Sequence, residues 1–378
     1  MTEGNLPTYR IATIPGDGVG PEVVDAARRV VDAAGHRFGF TVEWTEIVAG
    51  GIAIDTYGVA IRPADVDVCG AADAVLLGAV GGPKWSDPSA SVRPEQALFA
   101  LRGGLGLFAN LRPVKVHPAL IASSPLRPEL LVGVDLLIVR ELTGGVYFGE
   151  RQEAGAEPGD RFAVDTWPYG EEEIKRIFLV AAAYALLRRK RLTSVDKANV
   201  LATSRLWRRV VDEESRRAPD VEVTHQLVDS CAMLLIRRPA DFDVIVTENL
   251  FGDILSDEAA VLAGSLGMLP SASLANRLTE HGTFGLYEPI HGSAPDIAGR
   301  DRANPIGAIL SAAMMMFTSF GRKDVSDAIE AAVSGALDDG WRTHDLADPA
   351  NPDDGLVVVG TTGMATAVIE ALEAGVPA

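Results

Sequence analysis

Two aspartates four residues apart, Asp253 and Asp257, lie in the sequence NLFGDILSDE at residues 249–258. Residues i and i+4 share a face of an α-helix, so both carboxylates would point to one region. Like charges that close repel each other unless a cation lies between them. Carboxylate oxygens on a rigid helix suit Mg²⁺ or Mn²⁺. The spacing therefore indicates a divalent metal site, and a solvated acidic face near a helix N-terminus is the alternative.

The sequence around this pair supports the metal interpretation. An apolar, strand-like run at residues 242–247 precedes the acidic segment, and small residues at 263–267 follow it. Ligands of α/β proteins bind where a strand leads into a helix.

Three arginines are candidates for binding a carboxylate, because the planar guanidinium can bind both oxygens at once. Arg102 and Arg112 flank the segment at 107–111, and Arg140 ends the apolar run at 134–139. Each could instead form a surface ion pair. Arg140 is the strongest candidate, since strand ends in a parallel sheet border the ligand crevice.

Lys197 follows the apolar residues 194–196. Desolvation lowers the pKa of a lysine, which suits a proton acceptor. Alternatively, the aliphatic stem packs in the protein while the ammonium group reaches water.

Small residues dominate the sequence HGSAPDIAG at 291–299, so its backbone could approach a flat ligand closely. Asp296 could accept both ribose hydroxyls of a nucleotide and would repel a 2′-phosphate. An ordinary surface loop is the alternative. By contrast, Gly16, Gly18 and Gly20 have the spacing G-x-G-x-G, which indicates a tight turn rather than a dinucleotide-binding loop.

Length and composition exclude several classes of protein. With 378 residues, 47% of them hydrophobic, the chain can form two domains with sizeable cores. A net charge of −18 argues against binding to nucleic acid. Cys69 and Cys231 are too few for a disulfide framework and wrongly spaced for a thiolate metal site. Without a signal-peptide pattern or a membrane-length apolar run, we expect a cytoplasmic protein.

Short β-branched runs alternate with helical patterns along the chain, which predicts an α/β fold with a parallel, helix-covered sheet. The predicted strands are residues 10–14, 41–47, 74–80, 134–140, 194–200 and 244–247, and the predicted helices are 21–34, 171–188 and 205–216.

Residues 150–169 differ in character, being rich in Gly, Glu and Asp, and predict a hairpin arm that projects from the body. An isolated hairpin needs another surface on which to bury its apolar residues. We therefore expect a homodimer in which each chain contributes an arm.

Taken together, these segments resemble the isocitrate/isopropylmalate dehydrogenase family, metal-dependent enzymes that oxidise a 2-hydroxy acid and decarboxylate the product. The blocks that carry the resemblance are residues 107–113, 139–150, 195–200, 249–267 and 287–304. The resemblance implies two α/β domains around a shared central sheet with a projecting β-arm. Residues 1–108 and 265–378 would form the domain with most of the NAD site, and residues 109–264 the domain with the arm and the metal site.

The resemblance also implies roles for individual residues. Arg102, Arg112 and Arg140 would clamp the substrate carboxylates. Asp253 and Asp257 would hold Mg²⁺ or Mn²⁺. Asp229 would join them and also contact the substrate, reaching the site from the partner subunit as Lys197 does.

By the same resemblance, Lys197 would accept the proton of the substrate hydroxyl and Tyr147 would protonate the enol left after loss of CO₂. The implied NAD site consists of His291, Gly292, Ser293, Ala294, Pro295, Asp296, Ile297 and Asn304. Asp296 is followed by Ile297 rather than by a basic residue, which favours NAD over NADP.

Substrate choice within the family depends on the segment at 93–102, where Glu95, Leu98 and Phe99 stand, and on Val200. An apolar lining favours an alkyl branch, because burying an unpaired carboxylate is costly. We therefore expect NAD-dependent oxidative decarboxylation of 3-isopropylmalate, a step of leucine biosynthesis. D-malate, tartrate or homoisocitrate is the alternative substrate, since Phe99 departs from the leucine common in this part of the family.

Two alternatives belong to other classes of protein. A non-catalytic regulatory subunit of the same fold would have lost catalytic groups, whereas Tyr147, Lys197 and the three aspartates are all present. Phosphoryl transfer would require a phosphate-binding P-loop, and the sequence has no G-x-x-x-x-G-K-[ST].

Overall fold

The computed structural model describes residues 6–87, 90–155, 159, 161–347 and 355–375. The chain forms two compact units: Met1–Leu107, His117–Ser124 and Ala263–Ala378 make the first, and Phe108–Val116 and Pro125–Leu262 make the second. Residues 156–158 and 160 of the predicted arm, and residues 1–5, 88–89, 348–354 and 376–378 of the predicted NAD domain, lie outside the described residues.

In chain order, the strands are β1 Thr8–Gly16, β2 Thr41–Glu46, β3 Ala74–Ala79, β4 Leu107–Lys115, β5 Asp135–Glu141, β6 Arg151–Gln152, β7 Val164–Asp165, β8 Arg191–Asp196, β9 Glu222–Leu227, β10 Val244–Thr247, β11 Pro270–Leu278, β12 Thr283–Pro289, β13 Trp341–Arg342 and β14 Val357–Val358.

The α-helices follow the same order. They are α1 Gly20–Phe38, α2 Gly51–Tyr57, α3 Pro63–Ala71, α4 Gln96–Gly104, α5 Pro128–Leu131, α6 Glu171–Leu187, α7 Ala202–Ser215, α8 Val228–Arg237, α9 Asn249–Ala260, α10 Ile306–Thr318, α11 Lys323–Asp338 and α12 Thr361–Ala374.

In the first unit, β1 pairs in parallel with β2 and β3, β3 pairs in parallel with β12, and β12 pairs antiparallel with β11. Every residue of β3, with the sequence AVLLGA, is buried. A continuous apolar run is typical of a strand covered on both faces. The core of this unit includes Ile14, Val75 and Leu286.

In the second unit, β10 pairs in parallel with β5 and β8, β8 pairs in parallel with β9, and β4 pairs antiparallel with β5. The prediction of a parallel sheet holds for most strand pairs and was wrong for β4–β5 and β11–β12, which are antiparallel. The β11–β12 pair is a hairpin with a short connection at residues 279–282, which only antiparallel strands can have. Alternation of strands and helices is visible in sequence, but strand direction is not.

The strand predicted at residues 194–200 ends at Asp196 instead. The Asp196 carboxylate accepts a hydrogen bond of 2.8 Å from the Ala198 amide and pairs with Arg208 at 2.9 Å. These contacts turn the chain out of the sheet, so Lys197 lies at the start of a loop. Helix α7 then begins at Ala202, three residues before the predicted start.

The two short strands of the predicted arm, β6 and β7, pair antiparallel, with Arg151 opposite Asp165 and Gln152 opposite Val164. Phe162, just before β7, is 64% exposed. Among the helices that the structure describes, none has both the length and the apolar character needed to cross a membrane.

Candidate active site

Arg140, in β5, lies against one face of helix α9. Its side chain is only 4% exposed. Asn249, Gly252 and Asp253 form this face of α9, since residues at i, i+3 and i+4 lie together on a helix. A β-carbon at Gly252 would lie 2.6 Å from Cγ of Arg140. Glycine at this position therefore makes room for the arginine side chain.

The Arg140 guanidinium is bound by two side chains of α9. Oδ1 of Asn249 accepts hydrogen bonds from Nε at 3.0 Å and from Nη2 at 2.8 Å. Nη1 forms a short ion pair with Oδ1 of Asp253. These contacts hold the guanidinium plane in one orientation.

Tyr147 binds the other oxygen of Asp253. Its hydroxyl donates a 2.6 Å hydrogen bond to Oδ2 of Asp253, and its ring centroid lies 5.6 Å from Cζ of Arg140. Burial raises the pKa of the Tyr147 phenol, and the hydrogen bond to Asp253 adds to this effect. The phenol therefore keeps its proton and acts as a donor.

The pairing of β4 with β5 places Arg112 beside Arg140. Asn110 lies directly opposite Arg140, and Arg112 is two residues further along β4. Opposite residues of an antiparallel pair share a face of the sheet, as do residues i and i+2 of one strand. Both arginines therefore belong to one face, and Nε of Arg112 donates a 2.8 Å hydrogen bond to Oδ1 of Asn110.

Lys197 and Asp229 form a separate pair in the same unit. Nζ of Lys197 lies 2.7 Å from Oδ1 of Asp229, which is in the first turn of α8. The hydrogen bond from Lys197 is the main cause of the lowered pKa of Asp229. Val200, in the same loop, is 62% exposed, and its amide donates to the Lys197 carbonyl.

Asp257 is exposed one turn beyond Asp253, on the same face of α9. Carboxylate oxygens from Asp253, Asp257 and Asp229 are hard ligands of the kind that Mg²⁺ and Mn²⁺ prefer, so the donor chemistry fits such an ion. Within the described part of this single chain, however, no three His, Cys, Asp or Glu side chains come together as a metal-binding group. Two of the three expected ligands, Asp253 and Asp257, lie on α9. The third, Asp229, forms an ion pair with Lys197.

Glu248 fixes the N-terminus of α9, although sequence analysis gave it no role. Its carboxylate accepts hydrogen bonds from the amides of Leu250 at 3.2 Å and Phe251 at 2.5 Å, and from Nε1 of Trp167 at 3.2 Å. Burial raises the pKa of Glu248. Such an N-cap satisfies amides that have no partner within the helix and holds the first turn in place.

In the first unit, α4 carries the residues expected to select the substrate. Glu95 lies at the N-cap of α4, and Leu98, Phe99 and Arg102 follow it at i+3, i+4 and i+7. These spacings place them along one side of the helix. Leu98 packs against the core of the unit, whereas Phe99 is 55% exposed.

The loop expected to bind NAD is anchored to the turn that follows β1. The carbonyl of Ser293 accepts a 2.8 Å hydrogen bond from the amide of Val19. A β-carbon at Gly18, where φ is +60°, would lie 1.9 Å from that same carbonyl oxygen. Gly18 is thus required for close approach of the two segments, and Ala294 follows with φ of +36°.

His291 and Asn304 lie at the two ends of this loop. Nδ1 of His291 is 2.9 Å from the Gly292 carbonyl oxygen, and its buried Nε2 has no hydrogen-bond partner among the described residues. Burial lowers the pKa of His291. Nδ2 of Asn304 donates to Asp345 at 3.1 Å. Between these anchors the loop is more open, with Gly292, Pro295 and Asp296 exposed or partly exposed and Ile297 partly buried.

Comparison with known proteins gives the family. The family model described as isocitrate/isopropylmalate dehydrogenase matches residues 10–368. This chain belongs to that family.

Individual relatives of this dehydrogenase family cover nearly the whole chain. The 3-isopropylmalate dehydrogenase of Anaeromyxobacter dehalogenans is 56% identical over 89% of this chain and 94% of its own. That of Aquifex aeolicus is 50% identical over 97% of both chains. The crystal structure of isocitrate dehydrogenase from Methylococcus capsulatus is 34% identical, covers 96% of this chain and 99% of its own, and superposes with a TM-score of 0.82.

Family membership confirms the resemblance on which the sequence analysis relied, and with it the predicted fold. Within the second unit, the structure brings together four of the predicted site residues: Arg140, Tyr147, Asp253 and, by strand pairing, Arg112. Lys197 and Asp229 form their own pair, and Arg102 and the predicted NAD loop belong to the first unit.

Sequence analysis missed the residues that hold this dehydrogenase site in place, notably Asn249 and Gly252. A signal was available for both, because they lie at i−4 and i−1 from Asp253 in the same motif. Tyr169 had no such signal, since its contacts with Glu248 and Asn249 join segments that are distant in the chain.

Proposed function

We propose that this chain catalyses the NAD-dependent oxidative decarboxylation of (2R,3S)-3-isopropylmalate to 4-methyl-2-oxopentanoate and CO₂, in the biosynthesis of leucine. Relatives named 3-isopropylmalate dehydrogenase are 50–56% identical to it over 89–97% of its length. The observation that carries the proposal is the joint contact of Arg140 and Tyr147 with the Asp253 carboxylate. A carboxylate-binding group and a proton donor thereby meet at an expected metal ligand.

In this proposal, Arg112 and Arg140 bind one end of the substrate from a common face of the sheet, and Arg102 binds a second carboxylate. Binding a dianion in this way needs cations whose orientation is already fixed, since each ordering step costs affinity. Arg140 meets this requirement, because it is buried and hydrogen-bonded by α9. Leu98 and Phe99 of α4, with Val200, would line the space for the isopropyl group, and Glu95 would lie beside it.

Asp253, Asp257 and Asp229 would hold Mg²⁺ or Mn²⁺. The chemistry supplied when such an ion is bound is Lewis-acid polarisation of the substrate oxygens. The carboxylates themselves orient the site, and Asp253 also orients Tyr147 and Arg140.

Lys197 and Tyr147 move the protons of the reaction. Nζ of Lys197 would accept the proton of the 2-hydroxyl. The chemistry that NAD would supply when bound is acceptance of the hydrogen on C2 as hydride. The bond between C3 and its carboxylate would then break, CO₂ would leave, and the bonding electrons would form the enolate of C2 and C3. Finally, the Tyr147 hydroxyl would give a proton to C3, a role supported by its position at the site, where it donates a hydrogen bond to Asp253.

We further propose that NAD binds along residues 291–304 in preference to NADP. Asp296 is exposed, and the next residue, Ile297, carries no charge that could bind a 2′-phosphate. A carboxylate there can accept the ribose hydroxyls and repels a phosphate at the same position. Gly292, Ser293, Ala294 and Pro295 would supply the backbone surface, and His291 and Asn304 its two ends.

A homodimer with shared active sites is also proposed. Asp229 and Lys197 pair with each other within one chain, whereas the Asp253 carboxylate contacts Arg140 and Tyr147. Exposed apolar residues lie on α8 and α9, namely Met233, Ile236 and Ile254. These features fit a second copy that covers the two helices and supplies Asp229 and Lys197 to its neighbour. The two cysteines, Cys69 and Cys231, are buried and form no disulfide, which is in keeping with the cytoplasmic location that we propose.

Comparison of substrates tests the reaction. Purified protein with Mn²⁺ and NAD should form NADH fastest with 3-isopropylmalate, and more slowly with D-malate, tartrate, homoisocitrate and isocitrate. Faster turnover of any of the others would overturn the substrate assignment. Tight binding of 3-isopropylmalate without any NADH formation would instead indicate the non-catalytic regulatory subunit.

Subunit mixing tests the shared site. Lys197→Met and Arg140→Met chains should each be inactive alone, and should regain activity when they are mixed and allowed to exchange, because one site of each mixed dimer is then intact. A monomer in analytical ultracentrifugation, or no recovery after proven exchange, would contradict the shared site.

A further inference from the structure

We propose that Asn249 is a positioning residue for substrate binding. Its side-chain amide holds the Arg140 guanidinium in one orientation, in which the terminal nitrogens of Arg140 can bind a carboxylate of the substrate. The inference rests on the proposed function and adds a residue to it. Asn249 is 2% exposed and lies at the first position of α9.

The hydrogen bonds of Arg140 to the protein use only some of its N–H donors, and the others can bind the substrate. An arginine has five N–H donors in one plane, and Nε shares one edge of the group with Nη2. A single acceptor, Oδ1 of Asn249, takes this edge at 3.0 and 2.8 Å. Asp253 takes one hydrogen of Nη1. Among the hydrogen bonds of the described residues, these contacts use one hydrogen of Nη1 and one of Nη2, so each terminal nitrogen keeps a second hydrogen with which it could bind a substrate carboxylate.

Two further contacts fix Asn249 itself. Its Nδ2 donates a 3.1 Å hydrogen bond to the Gly144 carbonyl oxygen, which determines which end of the amide faces Arg140. Its backbone amide donates a 3.0 Å hydrogen bond to the hydroxyl of Tyr169. Both groups of the side-chain amide are therefore used, and neither can rotate away without leaving a buried polar group unpaired.

Neither of the nearest alternatives at position 249 could perform both tasks. Alanine would leave Nε and Nη2 of Arg140 without a partner in a buried place. Aspartate would keep the acceptor but lose the hydrogen bond to Gly144. It would also add a negative charge that competes with the substrate for Arg140 and repels Asp253.

A kinetic comparison tests the proposal. Asn249→Ala should raise KM for 3-isopropylmalate about tenfold or more, as expected for a lost hydrogen bond to a charged group. Asn249→Asp should raise KM by a similar factor of about ten, because its carboxylate competes with the substrate for Arg140. KM for NAD should change less than about twofold, because the hydrogen bonds of Asn249 run to Arg140, Gly144 and Tyr169 and not to the proposed NAD segment. Ser194→Ala is the matched control, since it removes a buried 3.1 Å hydrogen bond from Nε1 of Trp207 in the same unit, and Ser194 pairs with Val246 and His225 rather than with Arg140.

A double-mutant cycle separates positioning from a general structural effect. Binding of 3-isopropylmalate is measured by calorimetry, without NAD, in the wild type, Asn249→Asp, Arg140→Met and the double variant. If Asn249 acts through Arg140, the change at 249 should alter the dissociation constant less than about twofold once Arg140 is absent. Additive effects, or a wild-type KM in Asn249→Asp, would overturn the proposal. Aspartate has nearly the same size as asparagine, so this variant serves if Asn249→Ala fails to fold.

Failure of this inference can be told apart from failure of the proposed function. An active wild type with unaffected Asn249 variants removes only the positioning role. A wild type that prefers another 2-hydroxy diacid removes the substrate assignment, and the same cycle then tests Asn249 with that substrate.

Discussion

The hydroxyl of Tyr147 donates a 2.6 Å hydrogen bond to Oδ2 of Asp253. The other oxygen of the same carboxylate pairs with Arg140. One carboxylate thus fixes the relative positions of the proposed proton donor and a proposed substrate clamp. A change in any of the three side chains should therefore alter how the other two are held.

Replacing Tyr147 with phenylalanine should lower kcat about a hundredfold or more, because the proposed proton donor is removed. The side chain is 37% exposed, so the free energy of unfolding should fall by less than about 1 kcal/mol. Initial rates of NADH formation and chemical denaturation measure the two effects. A kcat equal to that of the wild type would exclude Tyr147 from proton transfer.

The substitution Lys197→Met should remove most turnover while leaving the fold and Mn²⁺ binding largely intact, since only the proposed proton acceptor is lost. Lys115→Met, at the exposed end of β4, is the control and should keep full activity. Circular dichroism, Mn²⁺ titration and initial rates report the three properties. Unchanged turnover in Lys197→Met would contradict the assignment.

A methyl group at Gly252 should displace Arg140, since the new β-carbon would lie 2.6 Å from Cγ of that arginine. We expect Gly252→Ala to destabilise the protein by about 1–3 kcal/mol through overpacking. It should also raise KM for 3-isopropylmalate. Gly70→Ala, whose β-carbon would make an ordinary 3.6 Å contact with Leu105, is the control. Wild-type stability and KM in Gly252→Ala would show that Arg140 is not confined by α9.

Charge reversal at Asp296 should shift coenzyme preference toward NADP. Lysine there can bind a 2′-phosphate and no longer accepts the ribose hydroxyls. The measurement is the ratio of kcat/KM for NADP to that for NAD. If Asp296→Lys is as selective for NAD as the wild type, the ribose lies elsewhere.

Acid should destabilise the fold in part through His291, because burial lowers its pKa. In the unfolded chain the pKa of histidine is about 6.5, so below that pH the unfolded chain binds more protons than the folded one. The free energy of unfolding therefore falls as the pH drops from that value toward the lower pKa of the folded protein. His291→Gln should lose less stability than the wild type between about pH 7 and pH 5. Parallel stability curves for the two proteins in urea titrations would contradict this prediction.

Much of the fold could be predicted from the sequence, because apolar periodicity reports which segments are buried strands and which are amphipathic helices. The predicted helix at 171–188 is close to α6, Glu171–Leu187, and the strand at 244–247 matches β10. Strand direction was not accessible, so the antiparallel pairs β4–β5 and β11–β12 were missed. The end of β8 was misplaced because Asp196 turns the chain through contacts with Ala198 and Arg208.

The sequence by itself determined which chemical groups this protein carries and the family to which it belongs, since residue types and short spacings within a helix are local properties. Only the tertiary structure decided how those groups are held. Asn249 meets Arg140 across 109 residues of chain, and the pairing of β4 with β5 places Arg112 beside it. Such contacts arise from the packing of distant segments, where burial and the need to satisfy each buried donor select one arrangement among many that the local sequence would allow.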